Sequence, residues 1–339
     1  MPSTGPPTPR RIRFAYPDDL DPMWTPATPE FACAANAVSL MMPIIEPYFV
    51  RTIAAAAETI DRSGPGPDAG PDADPGRPPG PHRYLPDRDE VEAYLAQERA
   101  HHGQHRRFNR LLVARYPRLA AVERVTARVY GALERRASPG FNLAVVTASE
   151  TMAYSAARWA DRHRRELFDR ADPVAATLFL WHLAEEVEHK SSAHDVHRAV
   201  EGGRRWFRVR LAAAMVTALA LVMVFVAAGT TVMLAGERRL HHPVAWARLT
   251  RWSVVFAFEL LTNLAVSLLP GHHPSDFADP LWYEVWLRTL DADTGSLPLW
   301  SAATGIAEPA EPAGPDGPDR SRCPVGLEPG RERPTGPGW

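Results

Sequence analysis

Two copies of one short pattern, Glu98-x-x-His101 and Glu186-x-x-His189, carry residue types that bind hard-to-borderline metal ions. On a helix, a spacing of three sets each Glu and its His about 60° apart on one face, so both can reach the same ion. Two helices each giving such a pair, joined by two helices each giving a single carboxylate, can hold two metal ions inside a bundle. The single acids that fit are Glu46, within AVSLMMPIIEPYFVRTIAAAA, and Glu150, within FNLAVVTASETMAYSAARWA. Each stands among apolar neighbours, where an unpaired acid is costly to bury. For Glu46 the alternative is an exposed acid at a helix break made by Pro43 and Pro47. The expected ligands are therefore Glu46, Glu98, His101, Glu150, Glu186 and His189. His182 lies within about 60° of Glu186 and His189 and makes a seventh. Tyr94 and His105 share the face of Glu98 and His101 and are expected behind the ligands, Tyr94 as a half-buried packing residue. Glu185 falls at the edge of the ligand face and Glu188 points away from it.

The elements that must position these residues read as helices. No stretch alternates in the manner of a strand, and runs rich in Ala, Leu, Arg and Glu extend over 30–63, 87–116, 122–169 and 173–202, the third interrupted at Ser138-Pro139-Gly140. The class is all-α. Across 339 residues, a 45% hydrophobic composition suffices for a core, and a net charge of -2 gives no general attraction to nucleic acid, which is excluded as a partner. The 34 prolines are concentrated in residues 1–29, 63–86 and 304–339, expected as two disordered tails and a linker loop. Residues 30–203 then form the metal-binding bundle and 204–303 a hydrophobic helical region. Two distant cysteines, Cys33 and Cys323, suit a reducing compartment, and the first thirty residues lack the apolar core of a secretory signal.

Leu211–Gly236 is 26 residues without a formal charge. As a helix it reaches about 39 Å, enough for a tilted crossing of a roughly 30 Å hydrocarbon layer. The run from Trp252 to Leu269 is interrupted by Glu259 and Asn263 and reads as a second leg, an interfacial helix or a core helix. Arginines flank Leu211–Gly236 on both sides, so orientation is not readable. His194, Asp195 and His197 are expected at a solvated helix end, and His272, His273 and Asp276 in a loop.

The segments MMPIIEPYFVRTI, YLAQERAHHGQHRRFNRLL, TASETMAY and WHLAEEVEHKSSAHDVHRAV resemble a bacterial family labelled predicted metal-dependent hydrolases. The resemblance covers about residues 30–300 and implies a ferritin-like four-helix bundle followed by hydrophobic helices. The family tends to have Gly before the first ligand Glu, where this chain has Ile45. The pattern is also similar to that of the arylamine N-oxygenases, di-iron enzymes with a third histidine four residues before the Glu of the last motif, the position of His182.

Carboxylate and imidazole ligands without thiolate suit two divalent ions, iron first, with manganese or zinc as alternatives. The expected function is a carboxylate-bridged di-metal oxidase or oxygenase acting on a small organic or lipid-like substrate. Metal-dependent hydrolysis and metal handling without turnover are the alternatives. A nucleophilic hydrolase is disfavoured by the lack of a G-x-S-x-G elbow or phosphate loop. The expected location is the cytoplasmic side of the membrane, or else soluble in the cytoplasm, with an electron-donor protein as a partner.

Overall fold

Caps and prolines set the helix boundaries. In this computed structural model, which describes residues 7–9, 14–63, 87–168, 170–280 and 282–283, the elements are α1 (Pro29–Ser63), α2 (Arg88–Arg115), α3 (Leu119–Arg136), α4 (Pro139–Phe168), α5 (Pro173–Glu188), α6 (Ser192–Glu201), α7 (Phe207–Gly236) and α8 (Pro243–Ser267). No strand occurs among the described residues, so the chain is all-α. Asp87 caps α2 by accepting from the Asp89 N–H, and Asp172 caps α5 by accepting from Val174 and Ala175, with Pro173 at the first helical position. The linker 64–86 and the tail 304–339 lie outside the described residues.

Three features bear on the expectations. First, α1 runs unbroken through Pro43 and Pro47, as the expected run 30–63 requires, and the helix break that stood as the alternative for Glu46 does not occur. Packing against α2 and α7 on its flanks holds it together where the prolines remove backbone donors. Second, the expected single helix 173–202 is two, because the chain turns at His189, whose backbone (φ -106°, ψ 18°) caps α5. Lys190, ion-paired with Asp279, secures that turn. Third, the supposed N-terminal tail is docked from residue 14 onward. Phe14 and Trp24 are buried, Trp24 donates to Asn36 at 2.9 Å, and its ring stacks on Phe179 with centroids 5.0 Å apart. These aromatics offset the ordering entropy that the surrounding prolines and polar residues do not.

The core is continuous between α1, α4 and α7. Leu211, Ala214, Met215, Ala218 and Phe225 on α7 meet Ile45 and Phe49 of α1 and Val145 of α4. Each large side chain buried in this way stabilises the fold by about 1.5–3 kcal/mol. Gly229 permits the closest approach of α7 to α1: a Cβ there would stand 2.9 Å from that of Ala37. Helix α8 lies along α4 with its polar residues turned inward. Glu259 pairs with Arg158 at 3.3 Å and with Arg162, and Asn263 donates to Ser155 Oγ at 3.0 Å.

The helices α1, α7 and α8 are each long and apolar enough to cross a membrane. Outward from the bundle α7 shows Val209, Val216, Met223 and Val224, and α8 shows Val254, Phe258 and Leu261, with Phe258 79% exposed.

Replacing Gly229 by Val forces α7 away from Ala37 and is expected to cost about 1–3 kcal/mol. Thermal unfolding of the full chain in detergent measures this. An unchanged midpoint contradicts the close packing of α7 on α1.

Candidate metal centre

Proline chemistry in α1 begins the construction of the site. Pro43 has no N–H to give the carbonyl of Ser39 four residues earlier, and that carbonyl instead accepts from Asn109 Nδ2 of α2 at 2.8 Å. The Asn109 amide is thereby oriented, with Oδ1 left to accept the Ser39 hydroxyl at 2.6 Å. Having given its proton to Asn109, Ser39 Oγ accepts from His105 Nδ1 at 2.7 Å. His105 Nε2 is then the bare nitrogen, and it accepts from His182 Nδ1 at 2.7 Å. His182 Nε2 in turn faces Glu186 Oε1 at 2.8 Å, within hydrogen-bond distance, and Glu46 Oε1 at 3.7 Å.

The other two histidines are prepared in the same way. His101 Nε2 donates to Glu185 Oε2 at 3.0 Å, leaving Nδ1 bare, and Glu185 is itself held by Trp181 Nε1 at 2.9 Å. His189 Nδ1 donates to Glu150 Oε2 at 3.1 Å, leaving Nε2 without a partner, while Tyr94 donates to Glu150 Oε1 at 2.9 Å. A carboxylate or imidazole behind each ring fixes both its tautomer and its direction, the arrangement expected of metal-ligating histidines.

Two imidazole nitrogens without a hydrogen-bond partner thus face carboxylate oxygens. His101 Nδ1 lies 3.9 Å from Glu98 Oε1 and 3.6 Å from Glu186 Oε1; His189 Nε2 lies 3.5 Å from Glu98 Oε1 and 3.8 Å from Glu186 Oε1. These separations are too long for hydrogen bonds. They are close to the roughly 3.0–3.4 Å edges expected between ligands that each bind one ion at about 2.0–2.2 Å. Both oxygens of Glu46, both of Glu98, His101 Nδ1 and His189 Nε2 are buried without a hydrogen-bond partner. An unsatisfied buried polar atom costs about 1–3 kcal/mol, more when charged, so six converging on one space call for a cation. The residues present therefore fit a metal ion. Ligand atoms of Glu98, His101, Glu186 and His189 lie within 4.8 Å of one another, as do those of Glu46, His101 and His182.

The electrostatics agree. Burial, then Glu150 and Glu186, push the Glu98 carboxyl well above its ordinary range. Burial and Glu186 raise Glu150, with His189 opposing. Burial would also raise Glu186, but His189 and His182 more than offset it and hold this carboxyl low. His101 is pushed well down by burial and then by the neighbouring histidines. Burial lowers His189 too, yet Glu186 and Glu150 prevail and carry it up to about 9. The centre attracts positive charge.

All seven expected ligand residues are thus brought to one buried region, the most exposed being His182 at 9%. Glu150 differs from the others in that both of its oxygens are hydrogen-bonded. Tyr94 is fully buried rather than half-buried, and His105 stands behind His182 as expected. Sequence reasoning missed Glu185, Trp181, Ser39 and Asn109. The spacing of four between Trp181 and Glu185 on one helix face was the available signal for that pair. A correction applies to His194 and His197, which are buried and not solvated.

Replacing Glu185 by Ala frees the His101 ring and is expected to weaken metal binding about 10- to 100-fold while helicity is retained. Metal titration beside circular dichroism tests this; unchanged affinity contradicts the orienting role.

No curated protein and no solved structure matches the chain. A family described as "predicted metal-dependent hydrolase" matches residues 87–278, a shorter segment than the expected 30–300, which takes in every one of the expected ligand residues except Glu46. With more than half of its length matched and a buried Glu/His cluster in the matched helices, the chain belongs to this family of predicted metal-dependent hydrolases.

Proposed function

We propose that Glu46, Glu98, His101, Glu150, His182, Glu186 and His189 hold two divalent metal ions, iron foremost, in a ferritin-like four-helix unit spanning residues 30–203. The observation that carries this reading is the set of three imidazoles with their outer nitrogens tied by hydrogen bonds and their inner nitrogens turned toward carboxylate oxygens. Four carboxylates balance the charge of two divalent ions. Glu150 joins the set through the lone pairs that its two hydrogen bonds leave free.

The proposed activity is that of an oxygen-activating oxidase or oxygenase. When bound there, two iron ions would supply electrons for the reduction of oxygen. The protein's part is to bind, orient and keep water out. Tyr94 packs edge-on to His189 with centroids 4.9 Å apart, and Trp181 packs edge-on to His101 at 5.0 Å. Tyr94 keeps its proton on the hydrogen bond to Glu150, since burial and then Glu150 itself push the phenol well above its ordinary range. Enclosure supports oxygen chemistry, because a small apolar gas reaches a buried centre more readily than an ester or phosphate does. The second reading, hydrolysis by a metal-activated water, is favoured by the family's description.

We further propose that the chain works at the cytoplasmic face of a membrane, with an electron-donor protein and a lipid-like substrate. Support comes from α8, which turns Glu259 and Asn263 inward and Phe258 and Val254 outward, the reverse of a helix facing water.

Purified protein is expected to carry two irons per chain, and the reduced form to change its absorption on meeting oxygen. The double substitution Glu98→Ala with Glu186→Ala is expected to abolish metal binding. Turnover of ester or phosphate probes with zinc or manganese, without any response to oxygen, overturns the oxidase reading in favour of the hydrolase. Retained metal stoichiometry in the double variant overturns the site itself.

A further inference from the structure

A second group of histidines lies where α6, the start of α7 and the chain after α8 meet. His194, Asp195 and His273 place their polar atoms within 4.8 Å of one another. Their hydrogen bonds make them a strut and not a cation site. His273 Nδ1 accepts the Ser275 backbone N–H at 3.2 Å, so its proton is on Nε2, which donates to Asp195 Oδ1 at 2.7 Å. Asp195 also faces His194 Nδ1 at 3.2 Å. The other acids at this end are likewise engaged. Glu201 is paired with Arg210 and with Arg204 at 3.3 Å, and Asp276 accepts the His273 backbone N–H at 2.8 Å.

Against this background stands a pocket of about 80 Å³ lined by Arg198, Arg208, His194 and His272, with Leu211 and Leu269 on its apolar side. Among the described residues Arg208 has no acidic partner, and His272 Nε2 is buried without a hydrogen bond. The Arg198 and Arg208 guanidiniums lining one cavity match an acceptor with several negative oxygens, the chemistry of a phosphate group, and His272 Nε2 joins them as a donor when the ring, whose Nδ1 lies 3.5 Å from Asp276 Oδ2, is doubly protonated. The volume admits a few waters or one tetrahedral anion. Leu269 both lines the pocket and is 57% exposed, and the exposed Val209 and Val216 continue the apolar surface along α7. A phosphate seated here would have apolar protein surface beside it, where the chains of a lipid can lie.

We propose that this pocket binds the phosphate of an anionic phospholipid, with the acyl chains along the exposed side of α7. The proposal rests on the membrane reading above and is independent of the metal centre. It fixes the start of α7 at the headgroup level of the bilayer, where Trp206, 58% exposed and covered by the Arg205 guanidinium, also suits an interfacial position.

Native mass spectrometry of the full chain, released from detergent with phosphatidylglycerol or phosphatidylcholine added, provides the test. One phosphatidylglycerol per chain is expected to be retained in preference to phosphatidylcholine. Arg208→Gln is expected to weaken retention about fivefold, and His272→Gln to weaken it further. Arg238→Gln, the same loss of charge at the other end of α7, is expected to leave retention unchanged. Equal retention of both lipids, or equal losses in the Arg208 and Arg238 variants, overturns the pocket. Displacement of the lipid by millimolar inorganic phosphate overturns the lipid as its occupant. Vesicle flotation separates the two layers of inference: binding to both vesicle types alike contradicts the pocket only, whereas binding to neither, with full solubility in detergent-free buffer, contradicts the membrane reading as well.

Discussion

Burying four carboxylates beside three imidazoles in one helical core is the constraint on which the rest of this structure depends. Glu46, Glu98, Glu150 and Glu186 lie on α1, α2, α4 and α5, and each is nearly inaccessible to water. Side by side and without compensating charge, such groups repel one another and lose hydration worth several kcal/mol each. Only a positive charge placed among them makes the arrangement favourable. The imidazoles are arranged to admit one, since each has its outer nitrogen occupied by a protein group and its inner nitrogen turned toward the carboxylates.

Features that would be defects elsewhere serve this arrangement. Pro43 in mid-helix releases the Ser39 carbonyl, and the polar bridge to Asn109 that results reaches His182 through His105. The turn at the end of α5 lets His189 leave the helix axis while Lys190 is held by Asp279. Support behind the ligands is divided among elements distant in sequence, and a loss in one of them is transmitted to a ring orientation and not to the overall fold. Helices α7 and α8 contribute no ligand, but they cover α1 and α4, which do.

The residues that meet in the buried Glu/His cluster were legible in the sequence because most obey a local rule: a spacing of three on one helix face, or a lone acid among apolar neighbours. The helical class and the apolar C-terminal run followed from composition in the same way. What was not legible depended on contacts between distant segments. Ser39 and Asn109 acquire their role only when α1 meets α2, and Glu185 only when His101 arrives from α2. His194 and His197 look solvated at the end of a helix until the start of α7 and the chain after α8 close over them, as when Phe207 packs on His197 at 4.6 Å. Phe14 and Trp24 were hidden by a proline-rich composition that outweighs two aromatics in any average, though in the fold those two rings decide where the segment sits.

The central claim is that one enclosed Glu/His cluster holds two metal ions. Anomalous scattering from crystals of the metal-loaded full chain measures it most directly. Two peaks about 3.5–4 Å apart are predicted among Glu46, Glu98, His101, Glu150, His182, Glu186 and His189. A single peak there, or metal bound instead at His194, Asp195 and His273, would contradict it.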